Sequence, residues 1–120
     1  MKIQESAENY LEAILVLRNA NGRVRSIDIA NHLGVSKPSV SVAMKNLRQN
    51  DYILFAADGE ITLTEAGHRI ASRVYERHTV ITEALCRMGV SLDVAKEDAC
   101  RIEHDISDET FEKLKAWLTK

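Results

Sequence analysis

The chain has 120 residues, of which 45% are hydrophobic and 28% charged, with a formal net charge of −2 and two cysteines. That length holds one compact domain or two small halves and excludes a large enzyme, while the balance of apolar and charged residues excludes a disordered chain. No window approaches the roughly 18 consecutive apolar residues of a membrane span, and the start Met1-Lys2-Ile3-Gln4-Glu5-Ser6 lacks the apolar core of a signal peptide, so a cytoplasmic protein is expected.

Apolar residues at Tyr10, Leu11, Ile14, Leu15 and Leu17 share one broad face, which predicts a first helix from about Glu5 to Ala20, ended near Asn21-Gly22. Ser26 is a candidate N-cap for a short helix from Ile27 to Leu33, and Gly34 suits the left-handed residue that stops it. Only Val35 and Ser36 precede Lys37-Pro38, where proline is tolerated because the first turn of a helix has no partner for its missing N–H. This third helix is predicted to run to about Asn50. Tyr52-Ile53-Leu54-Phe55 and Glu60-Ile61-Thr62-Leu63 then flank Ala56-Ala57-Asp58-Gly59, two β-prone runs around an Asp-Gly turn, which reads as a hairpin. Thr64 can cap a long helix whose positions Ile70, Ala71, Val74, His78, Ile81, Leu85 and Met88 recur every three or four residues until Gly89. Two more helices are expected, from about Leu92 to Asp105 and, after the N-cap Ser107, to Leu118.

Helix, glycine turn, second helix and β-hairpin is the order of a winged helix-turn-helix, whose second helix enters the major groove of double-stranded DNA. Ala30 lets the paired helices approach, and Val35 is expected to plug the space between them. Between Arg23 and Asn50 the basic residues Arg23, Arg25, Lys37, Lys45 and Arg48 face a single acid, Asp28, so the net charge conceals a basic stretch. Arg25, Ser36, Lys37, Pro38, Ser39, Ser41 and Lys45 are the candidate DNA contacts: short hydroxyls bond to phosphate or base edges, and basic side chains add charge. The hairpin has no Lys or Arg between Tyr52 and Glu65 and is expected to add little affinity. The same pattern suits a packing unit with a solvated basic face or a protein-interaction module, so DNA binding here is inferred from pattern and charge.

From Glu76 to Lys120 acids outnumber bases, which favours cations over DNA. Within Cys100-Arg101-Ile102-Glu103-His104, helical spacing of about 100° per residue puts Cys100, Glu103 and His104 on one face. Thiolate, carboxylate and imidazole together suit a first-row transition metal better than calcium or magnesium. Asn9 and Glu12, three apart on the first helix, and His78 on the long helix are candidates to complete the shell. The spacing alone equally fits a solvated acidic face with Cys100 as a small packed side chain. His32 and His68 read as surface or packing residues, and Cys86 as core. The absence of a His-Glu-x-x-His motif and the short chain point away from an enzyme, and no organic substrate is expected. A regulator that senses thiol oxidation through Cys100, or an organic ligand, is the alternative.

The run Glu97-Asp98-Ala99-Cys100-Arg101-Ile102-Glu103-His104-Asp105-Ile106-Ser107-Asp108-Glu109 resembles the metal-binding segment of the diphtheria toxin repressor and manganese transport regulator family. The resemblance takes in Tyr10-Leu11-Glu12, Val40-Ser41, Leu63-Thr64-Glu65-Ala66-Gly67 and Arg77-His78, and covers nearly the whole chain. It implies a mainly α fold with a winged helix-turn-helix DNA-binding domain over residues 1–72 and a helical dimerisation and metal-binding domain over residues 73–120. It further implies a homodimeric repressor of metal-homeostasis genes that binds operator DNA with divalent Fe or Mn as corepressor, Zn(II) being compatible. By position it makes Asn9, Glu12, His78, Cys100, Glu103 and His104 the metal ligands. Asn9 stands where members carry aspartate or methionine, Cys100 matches the iron type, and Glu12 matches the manganese type. Lys96 and Thr82 occupy positions where members place further ligands, which argues against a second metal. Leu85, Met88, Leu92, Val94, Phe111, Leu114, Trp117 and Leu118 are the expected apolar supply of a dimer interface.

Overall fold

The computed structural model describes residues 5–120; residues 1–4, part of the amino-terminal stretch read for a signal peptide, lie outside it. The elements run α1 (Glu5–Asn21), α2 (Ser26–Leu33), α3 (Lys37–Gln49), β1 (Ile53–Phe55), β2 (Ile61–Leu63), α4 (Glu65–Arg87), α5 (Leu92–Ile102) and α6 (Asp108–Leu118). The chain forms two compact units, one ending at Ser72 and one spanning Arg73–Lys120.

In the first unit, Leu11 and Ile14 of α1, Ile29 of α2, Val40 and Met44 of α3, and Ile53 and Ile61 of the hairpin form one buried cluster. Each turn that brings these helices together has a local cause. Gly34 adopts φ 67° after α2, and the Val35 N–H bonds back to the Ala30 carbonyl at 3.1 Å, a chain reversal for which glycine has no steric penalty. The Ser36 side chain accepts from the Ser39 N–H and opens α3 with Pro38 in its first turn. At the far end Asp51, at φ 62°, takes the left-handed position, while the Asp51 and Tyr52 N–H groups bond to the Arg48 and Leu47 carbonyls. The antiparallel register Ile53↔Leu63, Leu54↔Thr62, Phe55↔Ile61 turns Ile53 and Ile61 into the cluster and leaves Leu54 exposed.

Thr64 caps α4, its Oγ1 accepting from the Gly67 N–H at 3.1 Å. In the second unit, Val74, Ile81 and Ala84 of α4 are buried with Ala95 and Ala99 of α5 and Phe111 and Leu118 of α6. Ser107 caps α6, accepting from the Thr110 N–H at 3.1 Å.

The structure departs from the sequence expectation at several points. The cap of α2 is Arg25 rather than Ser26, and the Asp28 carboxylate, one turn in, reaches back to accept the Arg25 N–H at 2.9 Å. Val35 is exposed instead of plugging the helix pair, whereas Ile29 and Val40 of the same two helices are buried. Helix α5 stops at Ile102 rather than near Asp105. Phe111 and Leu118, expected at a dimer interface, belong to the buried interior, whereas Met88, Leu92, Val94 and Trp117 are exposed. Among the described residues, no helix is long and apolar enough to cross a membrane.

Candidate metal centre and DNA-facing helix

All seven candidate DNA contacts, Arg25, Ser36, Lys37, Pro38, Ser39, Ser41 and Lys45, are exposed in the first unit. They are not equally available. Ser36 Oγ donates to Ser39 Oγ at 2.8 Å while accepting from the Ser39 N–H, so these two hydroxyls are engaged in the cap. Arg25 lies 3.7 Å from the Asp58 carboxylate at the hairpin tip, and Arg23 pairs with the same carboxylate and with Glu60 at 3.8 Å. The backbone N–H of Glu60 holds the Asp58 carboxyl below its usual value of 3.8, with desolvation opposing and the Arg23 and Arg25 charges reinforcing the shift. The wing is therefore an acidic clasp on two arginines, which its lack of basic residues did not by itself disclose. Arg48 has its guanidinium stacked 5.8 Å from the Phe55 ring centre.

The metal-ligand candidates fall in both units. Asn9 and Glu12 lie on α1 of the first. In the second, His78 of α4, Cys100 of α5 and Glu103 in the turn leaving α5 each offer a ligand atom, and these atoms lie within 4.8 Å of one another. His104 is beside them, its Nε2 3.4 Å from Glu103 Oε1, but is not one of the three. Helical spacing placed Cys100, Glu103 and His104 on one face; α5 ends at Ile102, so the last two lie in the turn that follows, and His78, expected to complete the shell, meets Cys100 and Glu103.

Glu103 is the anchor of this group. Its side chain is fully buried, Oε2 is 3.0 Å from His78 Nδ1, and Oε1 has no hydrogen-bond partner. A buried carboxylate oxygen whose nearest nitrogen, His104 Nε2, stands off at 3.4 Å without a hydrogen bond is poorly satisfied, and a cation beside it offsets that cost. The soft thiol, the imidazole and this oxygen together fit a divalent transition metal.

Arg77, which spacing arguments did not single out as a contributor to the site, holds the turn. Its side chain is 3% exposed, and Nη1 donates to the Glu103 carbonyl at 3.1 Å and the Ile106 carbonyl at 2.8 Å. Nη2 pairs with Asp108, and the guanidinium stacks 5.3 Å from the Phe111 ring centre. The sequence signal was an arginine among the apolar positions of α4, next to His78. Of the remaining candidates, His32 and His68 are exposed and Cys86 is partly buried instead of core.

Comparison with known proteins gives a consistent result. Residues 2–60 match the family model described as iron dependent repressor, N-terminal DNA binding domain, and residues 64–120 match iron dependent repressor, metal binding and dimerisation domain. The chain is 32% identical over 117 residues to the transcriptional regulator MntR of Escherichia coli O6:H1, covering 98% of this chain and 76% of that one. It is 32% identical over 120 residues to an HTH-type transcriptional regulator of Methanocaldococcus jannaschii, covering 98% of this chain and 96% of that one. A solved structure of the manganese regulator SloR superposes with a TM-score of 0.82 at 29% identity over 99% of this chain. The chain spans 55% of that protein's length.

Proposed function

The chain belongs to the iron-dependent repressor family, and we propose that it is a cytoplasmic, homodimeric transcriptional repressor whose binding to operator DNA is activated by a divalent transition metal. The observation that carries this reading is the meeting of His78, Cys100 and buried Glu103, whose Oε1 accepts no hydrogen bond, on the same chain as an exposed recognition helix. In this assignment residues 1–72 read DNA, and residues 73–120 bind metal and dimerise.

His78, Cys100 and Glu103, with His104 beside them, are the proposed ligands in the second unit; Asn9 and Glu12 of α1 are the proposed contributors from the first. The ion supplies a compact double positive charge that favours the deprotonated thiol and carboxylate. Arg77 keeps Glu103 in place by fixing its carbonyl. A dimer reading successive major grooves needs its two α3 helices about 34–36 Å apart. Metal and DNA then each tighten the other's binding by the same factor, a coupling of about 1–3 kcal/mol being typical. Iron(II) and manganese(II) are the proposed corepressors, with Zn(II) a third candidate that the thiol ligand admits.

The deciding experiment is an anaerobic titration of duplex DNA with the protein in Mn(II), Fe(II), Zn(II) or chelator. Binding that strengthens with metal and is lost on chelation supports the reading. Binding indifferent to metal but abolished by peroxide and restored by a thiol reductant makes Cys100 an oxidation sensor instead.

A further inference from the structure

The outward face of α3 carries an apolar side chain that the fold does not use. Val42 is 63% exposed, whereas Val40, Met44 and Leu47 of the same helix are buried. At about 100° per residue Val42 lies roughly 140–200° around the helix from those three, and so points directly away from the core. Pro38, one turn earlier, and Lys45 and Gln49, one and two turns later, share the outward side and are exposed. A solvated β-branched residue is a weak helix former, so Lys or Gln at position 42 would serve the folding of α3 better. Val42 is thus available to whatever meets this face of α3.

Charge identifies the occupant. Helix α3 contains no Asp or Glu, and Lys37 and Lys45 stand on either side of Val42 along the helix, which suits a polyanion and not an apolar protein surface. In the major groove the one apolar group on a base edge is the C5-methyl of thymine, and small apolar side chains select it. The usual polar readers are depleted here, because Ser36 and Ser39 are bonded to each other in the cap of α3.

We propose that Val42 reads thymine: its methyl groups pack on the C5-methyl of one thymine in each half-site and make that position specific for an A·T pair. This inference rests on the DNA-binding reading above and assigns a specificity residue to it. A single buried methyl is worth about a three- to five-fold change in affinity, which sets the size of the expected signal.

The test uses the full chain with Mn(II) to select duplexes from a randomised pool, after which each thymine of the recovered sequence is replaced singly by deoxyuridine, removing the methyl and nothing else. For the unsubstituted chain, one thymine per half-site is expected to show a three- to five-fold loss on replacement. Val42→Ala is expected to bind the thymine and deoxyuridine duplexes equally, and Val42→Gln to select a different base there while keeping its helical circular dichroism and salt-dependent binding to bulk DNA. Deoxyuridine tolerated at every position, or an undiminished thymine preference in Val42→Ala, overturns the assignment while leaving the repressor reading intact. Failure to enrich any duplex with metal present removes the repressor reading, and this assignment with it.

Discussion

The Arg77 guanidinium donates to the backbone carbonyl of Glu103 at 3.1 Å, so a buried cation of α4 holds the residue at the centre of the candidate metal site by its main chain. The same nitrogen takes the Ile106 carbonyl at 2.8 Å, capping the turn into which α5 dissolves. Arg77→Met removes both bonds at nearly constant volume and is expected to destabilise the protein by about 2–4 kcal/mol, the cost of buried carbonyls losing their donors. Metal affinity should fall as well, although Arg77 offers no ligand atom. Thermal unfolding with and without Mn(II), together with a metal titration, checks both; an unchanged metal affinity would reduce Arg77 to packing.

Metal removal gives the most direct reading of the site. A ligand held only by the folded state stabilises it by about 2.7 kcal/mol at a hundred times its dissociation constant, so chelation should lower the melting temperature. Glu103→Gln and Cys100→Ser should each abolish that difference, and His78→Ala should reduce it. Differential scanning calorimetry on the three variants, with and without chelator, makes the comparison. Full metal stabilisation in Glu103→Gln would remove the site.

The caps and turns of this fold are written locally and could be read. Gly34, Thr64 and Ser107 each satisfy or reverse the backbone at a helix end, and each does so where the sequence reading placed it. The Cys100 to Glu103 interval was legible because three residues nearly complete a helical turn. The end of α5 was not, since residues 103–105 contain no glycine or proline and the helix is stopped by Arg77, 26 residues away, taking the Glu103 carbonyl. Long-range bonds of this kind leave no local trace. The clasp of Asp58 on Arg23 and Arg25 escaped notice for the same reason: residues 35 apart in sequence cancel charges that counting assigned to DNA.

Gly67 is fixed by contact rather than by backbone conformation. A Cβ there would sit 2.0 Å from the Tyr52 carbonyl oxygen, which is backbone and cannot swing aside. That carbonyl also accepts the Thr64 N–H at 3.0 Å, so moving it breaks the junction between hairpin and α4. Gly67→Ala is expected to cost more than about 2 kcal/mol, in the range of overpacking strain. Gly22→Ala, where a Cβ meets nothing but φ is +80°, should cost about 1 kcal/mol. Urea unfolding of the pair ranks them; equal midpoints would show that α4 shifts freely.

The exposed apolar residues of the second unit set an expectation for assembly. Met88 is 71% exposed and Trp117 54%, a poor arrangement for a lone chain and a good one for a buried contact between copies. Met88→Glu and Trp117→Glu should each shift the protein towards monomer in sedimentation velocity while leaving helix content unchanged. A single chain carries one recognition helix, so DNA affinity should fall with dimer content. Persistence of the dimer in both variants would place the interface elsewhere.

In the DNA-binding reading proposed above, Asp58 competes with phosphate for Arg23 and Arg25, and its removal should therefore tighten binding. Asp58→Asn releases Arg25 and leaves Arg23 only its longer contact with Glu60; each added phosphate contact steepens the log–log salt dependence by about 0.9, so the slope should grow by between about 1 and 2 units. The same carboxyl has a stability signature whose sign follows from its lowered pKa. A depressed folded-state value contributes stability above the unfolded value near 3.8, lost as the pH falls below it. The parent protein should thus lose slightly more stability than Asp58→Asn on acidification below about pH 4, the difference being small because the pairs are exposed. Filter binding across a salt series and urea midpoints at descending pH measure the two effects. An unchanged salt slope in Asp58→Asn would mean that neither arginine meets phosphate, and the wing would then be a structural brace alone.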